Sequence, residues 1–306
     1  MASNWLSVPS ESLQTLLASV RSQKHASRCR FLDKITLGDV IEVQGPPASG
    51  KTHFVYHFLA TCIIPVAHHS TSLCGWGKAA VVYDLDHSFD VFRFKKLLLS
   101  RLKRFVDVET AQAISNHCIQ NLHVFHPHST MDLAVNVLHL PYYHCSDLSD
   151  VEIGLVAVDP ISTFYWSDRF SRENIRSSAA PFVNPMQHVM TALEKFRITH
   201  GASIVLTTWS LSSQKPPESL LGAPPLQQSS FIAAAIAGMV SLTHLVKLSA
   251  PSVPTFDANC TFDALDDLGE SSDRESSGIL YTADDAEPLP LTLSIGAETL
   301  RVRLST

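Results

Sequence analysis

Read from its amino terminus, the chain alternates apolar runs of strand length with stretches of helical period. The β-branched positions Val40, Ile41 and Val43 predict a buried strand. Ala79 to Asp84, Asn121 to Phe125, Ile153 to Asp159, Ala202 to Thr208 and Leu242 to Leu248 predict further strands. Helices are predicted from about Lys51 to Thr61, Phe89 to Phe105, Met131 to Leu140, and Asn184 or Pro185 to Arg197. In the last of these, Met186, Val189, Met190, Leu193 and Phe196 share one face, and Gly201 suits a left-handed C-terminal cap. Alternation at Leu289, Leu291, Leu293 and Ile295, resumed at Leu300, Val302 and Leu304, predicts a closing β-hairpin around Gly296. The alternation of strands and helices implies an α/β fold, its mostly parallel central sheet covered on both faces.

The remaining stretches lack either period. Residues 1–38 read as a short helix and linker in front of a single core at 39–306. In that lead-in Leu13, Leu16, Leu17 and Val20 form a stripe that either packs on its own domain or docks on a partner. Arg21, Lys24, Arg28 and Arg30 follow as a basic, solvated linker. Residues 65–78 read as a surface connection and 167–184 as irregular. Four prolines make 210–230 a flexible loop on the ligand side of the sheet, and the acidic, Ser-rich stretch 257–277 reads as disordered.

Composition narrows the class. With 306 residues, 45% hydrophobic and 17% charged, the chain has the make-up of a globular α/β protein. A formal charge of −6 argues against a strongly basic nucleic-acid binder acting alone, although a local basic strip remains compatible with it. The strongest strip is Arg93, Lys95, Lys96, Arg101, Lys103 and Arg104, either a solvated face or a DNA contact. Six scattered cysteines without a C-x-x-C pair read as reduced thiols, not as a disulfide framework or zinc site. His68, His69 and Cys74 lack a second well-spaced ligand pair, and His123, His126, His128, His139 and His144 fit no standard metal spacing; they read as surface and loop residues. No signal peptide is recognisable, and the most apolar run, Phe231 to Val240, is too short to span a membrane. The expectation is a soluble intracellular protein.

The chemistry is concentrated after the first strand. Gly45-Pro46-Pro47-Ala48-Ser49-Gly50-Lys51-Thr52 is G-x-x-x-x-G-K-T, the phosphate-binding loop between a strand and a helix. Its glycines let successive N–H groups turn inward as an anion nest. Lys51 is expected on the β- and γ-phosphates of ATP, and the Thr52 hydroxyl on Mg²⁺. The run IGLVAVD ends in Asp159, a carboxylate expected to hold the water shell of the same Mg²⁺. Asp84, Asp86 and His87 stand at the end of another strand, where α/β folds place their ligands.

Taken in order, GPPASGKT with the YHFLATCIIP helix, then DLDHSFDVFRF, then VDPISTFYWSDR resemble the RecA-type strand-exchange ATPases, and among them the eukaryotic recombinase paralogues. The resemblance covers about residues 38–210, with a weaker echo in SIGAETLRVRL. It implies a RecA-like ATPase core without the small helical DNA-binding domain that precedes many recombinases. It also implies a nuclear role in homologous-recombination repair, as one subunit bound to another recombinase paralogue, with DNA met through that complex.

Two positions depart from the family. The glutamate that orients the attacking water is matched by Asp86, and the glutamine that senses the γ-phosphate by Trp209. Asp is a methylene shorter, and Trp accepts no hydrogen bond. Both changes leave binding intact and predict slow or no hydrolysis. A P-loop small-molecule kinase, or another metabolic ATPase, and a scaffold that has lost nucleotide binding are the alternatives. STFYWSDR does not read as a kinase lid, and an intact Lys51, Thr52 and Asp159 set opposes the scaffold.

Overall fold

A computed structural model describes residues 35–148, 150–175, 184–209, 242–249, 274–283 and 287–304. The leucine stripe of the lead-in, the proline-rich loop, the run Phe231 to Val240 and most of the acidic stretch lie outside these residues.

Among the described residues, eleven strands and six helices follow one another as β1 (Val40–Gly45), α1 (Lys51–Ile63), β2 (Ala67–His68), β3 (Thr71–Ser72), β4 (Ala79–Asp84), α2 (Val91–Leu102), α3 (Val108–Ile119), β5 (Leu122–Phe125), α4 (Thr130–Asp147), β6 (Ile153–Asp159), α5 (Tyr165–Ile175), α6 (Pro185–His200), β7 (Ser203–Trp209), β8 (His244–Leu248), β9 (Arg274–Thr282), β10 (Leu289–Ile295) and β11 (Leu300–Leu304). Nine of the strands form one sheet in the order β11-β10-β9-β8-β1-β7-β6-β4-β5. From β8 to β5 every pairing is parallel, while β8, β9, β10 and β11 pair antiparallel. The fold is therefore mixed α/β with a large, mostly parallel sheet.

The central parallel strands β4, β6 and β7 are largely apolar because both of their faces are covered. On one face Ile41, Val43, Val82, Leu155 and Val205 meet Phe54 and Phe58 of α1, Phe94 and Leu98 of α2, and Ile114 and Cys118 of α3. On the other, Val81, Tyr83, Val156, Val158 and Leu206 meet Leu133 and Val137 of α4 and Val189, Leu193 and Phe196 of α6. Register then aligns the strand ends. Gly45 stands opposite Trp209, and Asp84 opposite Asp159. Tyr83 stands opposite Phe125, so the residues after β4 and β5 emerge side by side.

Several boundaries differ from the sequence reading, each for a local reason. The helix expected from Phe89 begins at Val91, because the Asp90 side chain accepts the Arg93 N–H as its cap. A separate helix, α3, follows from Asp107, whose carboxylate accepts from Thr110 N; its Ala111, Ile114 and Cys118 form a sparse apolar face that escapes notice in the sequence. α4 runs past Leu140 and through Pro141 to Asp147. Proline removes one rung of the helix, but Leu140 is buried, and Tyr143 packs on Phe125 with its hydroxyl 2.9 Å from His123 Nδ1. The stretch from residue 167, read as irregular, begins inside α5, held to α4 where Thr130 Oγ1 donates to Asp168 Oδ2 at 2.6 Å. Residues 274–277, the end of the acidic stretch, are ordered by pairing with β10. Gly201 is the left-handed cap of α6, at φ 68°.

Between α1 and α2 the packing has a consequence for stability. Burial, then Arg101 and Arg104, push His57 down to about 3, and burial, then Arg93, pushes His53 down to about 4, from an ordinary 6.5. Both rings fold neutral, so the unfolded chain binds more protons below about pH 6.5. Stability from these groups is fully present above about pH 6.5 and is lost as pH falls toward about 4 for His53 and about 3 for His57. Each should contribute a slope of about 1.4 kcal/mol per pH unit inside its window. Urea unfolding of the wild type and of His53→Gln/His57→Gln should give a markedly flatter acid limb for the variant. Equal slopes would contradict the assignment.

Candidate functional site

The loop Gly45–Thr52 leaves β1 and enters α1 without a side-chain cap: Gly50 occupies the N-cap in the left-handed region, at φ 95°. Ala48 is left-handed as well, at φ 61°. Gly50 is required by space as well as by dihedral, and Gly45 by space alone. A Cβ on Gly50 would come within 2.7 Å of Leu293 and 2.8 Å of Ile295 in β10, and one on Gly45 within 2.5 Å of Ser49 Oγ. The backbone is thus drawn tight, with first-turn N–H groups that no cap side chain occupies. Ser49 Oγ is buried with no hydrogen-bond partner. An unsatisfied hydroxyl and uncapped N–H groups at a positive helix end suit a multiply charged oxyanion.

Lys51 is buried, and its Nζ donates to the carbonyls of Gly45 at 3.0 Å and Pro46 at 2.8 Å. Burial holds its ammonium below the ordinary lysine value, while Asp159 and Asp86 pull it back up. The cation is therefore folded back over the loop, with two carboxylates facing it.

Asp159 ends β6 and is buried. Its carboxylate accepts from the Thr207 hydroxyl of the neighbouring β7 and is hydrogen-bonded to the Thr52 side chain of α1. Burial raises its carboxyl above the usual range, the Thr207 and Thr52 bonds oppose that rise, and Asp86 and Asp84 add to it. Three carboxylates against one ammonium leave a local excess of negative charge, which a divalent cation relieves. Thr52 and Asp159 supply hard oxygen ligands of the type Mg²⁺ takes, so the residues fit that ion.

Asp86 lies in the exposed turn after β4, where one carboxylate oxygen accepts from Ser88 N at 3.1 Å. It does not cap α2; Asp90 does. Trp209 closes β7, and its backbone N–H donates to Ser162 Oγ at 3.1 Å. The Gly45–Thr52 loop, Thr52, Asp86 and Asp159 are thus brought to one end of the sheet. The basic strip is not uniformly free. Arg93 donates to Gly296 O, and Arg101 to Thr61 Oγ1 at 2.7 Å, which leaves Lys96, Lys103 and Arg104 as its exposed cations.

Two features went unread in the sequence. Glu42 lies fully buried in β1 and accepts from Thr208 Oγ1 at 2.9 Å; a lone acid inside an apolar strand was the available signal. Asp84, His87 and His126 converge, whereas His68, His69 and Cys74 do not join such a group among the described residues. Here only the pairing of β4 with β5, not sequence spacing, reveals the neighbours.

No protein-family model matches the chain. The DNA repair protein XRCC2 of Mus musculus is 29% identical over 174 residues, 57% of this chain and 57% of that protein. The DNA repair protein XRCC2 homolog of Arabidopsis thaliana is 21% identical over 210 residues, 59% of this chain and 56% of that protein. The chain thus spans less than two thirds of the length of both relatives. Over this part of its length the chain is therefore similar to XRCC2 proteins.

Proposed function

We propose that this chain is an ATP·Mg²⁺-binding recombinase paralogue with a RecA-like core, acting in homologous-recombination repair of DNA. The observation that carries the reading is the meeting, at one sheet end, of an uncapped glycine loop with its lysine, a buried Asp159 and a nearby Asp86. The two relatives are named DNA repair proteins, which supports the biological half of the proposal and a nuclear location. In this reading the subunit works with another recombinase paralogue and meets DNA within that complex. No helix among the described residues is long and apolar enough to cross a membrane.

Backbone N–H groups of residues 45–52 and the Lys51 ammonium would hold the phosphates, while Thr52 and Asp159 would hold Mg²⁺ or its water shell. The bound ion would neutralise phosphate charge. Thr207 orients Asp159 by donating to it, and the raised carboxyl of Asp159 makes a nearby cation favourable. Asp86 is the group assigned to the attacking water. Its short carboxylate, already engaged by Ser88 N, and a Trp209 unable to accept a hydrogen bond make turnover slow. ATP then holds the subunit in one shape instead of driving a cycle.

Binding is tested by calorimetry on the folded chain. Lys51→Ala should weaken ATP·Mg²⁺ affinity by at least tenfold, since a buried cation facing the phosphates is removed. Equal affinities for the wild type and the variant would refute the assignment of the loop. Purified from its own cells, the wild type should bring a recombinase paralogue with it; a monodisperse monomer that captures none would count against the complex.

Turnover needs a separate measurement. Misplacing a catalytic group by ~1 Å alone costs about a hundredfold in rate. Asp86→Glu with Trp209→Gln should therefore raise single-turnover hydrolysis by one to two orders of magnitude, roughly the cost of that misplacement. A wild-type rate that already matches an active RecA-type enzyme, or that survives Asp86→Ala unchanged, would show that Asp86 has no such role.

A further inference from the structure

Beside the nucleotide edge, on the outer pair of parallel strands, stands a group of side chains that the proposed function leaves unused. Asp84 is the last residue of β4, and His87 lies in the turn that follows. His126 is the first residue beyond β5. Because Tyr83 pairs with Phe125, the next residues of the two strands, Asp84 and His126, leave the sheet together. One ligand atom from each of Asp84, His87 and His126 lies within 4.8 Å of the other two.

The donors are arranged as a site, not scattered over a surface. Asp84 is buried, and its oxygens are fixed by backbone donors, Ser88 N to Oδ1 at 3.1 Å and Phe89 N to Oδ2 at 3.2 Å. Such outer bonds aim a ligating carboxylate. His126 Nδ1 lies 3.4 Å from Asp84 Oδ2 and 3.3 Å from the Asp84 carbonyl oxygen. Two ligands at about 2.0–2.1 Å from a tetrahedral ion stand roughly 3.3–3.4 Å apart, so this pair is already spaced to share one. His87 is held left-handed at φ 58°, a backbone state uncommon for a residue with a side chain. That turn stacks its ring on His126, at 4.8 Å between centroids and 24° between planes. A His87 ring nitrogen already lies within 4.8 Å of the other two ligand atoms, and binding one ion would draw it closer. The ring of His128 stands 6.3 Å from that of His87, leaving a further imidazole or water for a fourth position.

We propose that Asp84, His87 and His126 form a binding site for one borderline divalent transition ion, Zn²⁺ being the probe of choice, distinct from the Mg²⁺ position at Thr52 and Asp159. Two imidazoles and one carboxylate suit Zn²⁺, whereas Mg²⁺ takes an oxygen shell and keeps its waters. The ion ties the turn after β4 to the turn after β5. Asp86 lies within the first of these turns, between two ligands, so occupancy braces the residue assigned to hydrolysis. The ligand set itself does not depend on the nucleotide reading.

The test is calorimetric titration of the chelator-stripped full chain with Zn²⁺ in excess Mg²⁺, together with Zn X-ray absorption. One Zn²⁺ per chain is expected, with nitrogen or oxygen neighbours at about 2.0–2.1 Å. His87→Ala and His126→Ala should each weaken binding by at least tenfold, and His87, in an exposed turn, is the variant least exposed to folding losses. His68→Ala/His69→Ala should leave the affinity unchanged, which separates this site from adventitious histidine binding, while the excess Mg²⁺ competes for the Thr52 and Asp159 position. Absence of stoichiometric Zn²⁺, unaltered affinity in His87→Ala and His126→Ala, loss in His68→Ala/His69→Ala, or a sulfur shell at about 2.3 Å would each overturn the proposal.

Discussion

Burying Asp159 is the constraint on which the site rests. A carboxylate removed from water is expensive unless its lone pairs are met by donors. Here the donors come from two other elements, Thr207 on the adjacent strand and Thr52 on α1. The same bonds that make the burial tolerable also lock three elements together at the sheet end. Because β6 pairs in parallel with both β4 and β7, the position of Asp159 also sets where Asp84 and Thr207 emerge.

Charge balance carries the constraint outward. Asp86 and Asp84 both act on the Asp159 carboxyl, and Asp159 and Asp86 both act on the Lys51 ammonium. With its Nζ donating to Gly45 and Pro46 carbonyls, Lys51 closes the loop on itself. Burial weakens its hold on its proton, and the carboxylates strengthen it. In the proposed ATP-bound state, phosphate oxygens would take the place of these carbonyls on Lys51, and Mg²⁺ would offset the carboxylate of Asp159.

What the sequence makes legible follows from how local its causes are. The strand, glycine loop and helix of residues 40–63 are specified by consecutive residues, and so is the cap at Gly201. The long apolar strands β4, β6 and β7 are equally plain, since a strand covered on both faces needs no polar alternation. α3 is harder, because its buried face is made of Ala111, Ile114, Ser115 and Cys118, a weak period in a polar helix. α5 escapes because the contact of Asp168 with Thr130 is tertiary and leaves no local trace. That His126 joins Asp84 and His87 is hidden for the same reason: 42 residues separate it from Asp84. Sequence order alone does not say that β4 and β5 are neighbours.

The antiparallel strands add a mechanical link that the glycine-loop sequence alone would not suggest. Leu293 and Ile295 of β10 fill the space where Gly50 lacks a side chain, and the turn beyond β10 accepts a hydrogen bond from Arg93 of α2 at Gly296 O. Gly296 N in turn donates to Thr299 O, which closes the chain into β11. The loop backbone, α2 and the final strands are therefore packed as one unit, and the left-handed state of Gly50 is sterically shared with β10. Displacing the loop requires β10 to shift, and shifting β10 strains the Arg93 contact. Two of the most basic-looking positions of α2, Arg93 and Arg101, are accordingly better understood as internal ties than as an external charge strip. Their guanidiniums hold α2 against β10 and α1, and the negative excess of the site is left to Lys51 and to whatever cation joins it.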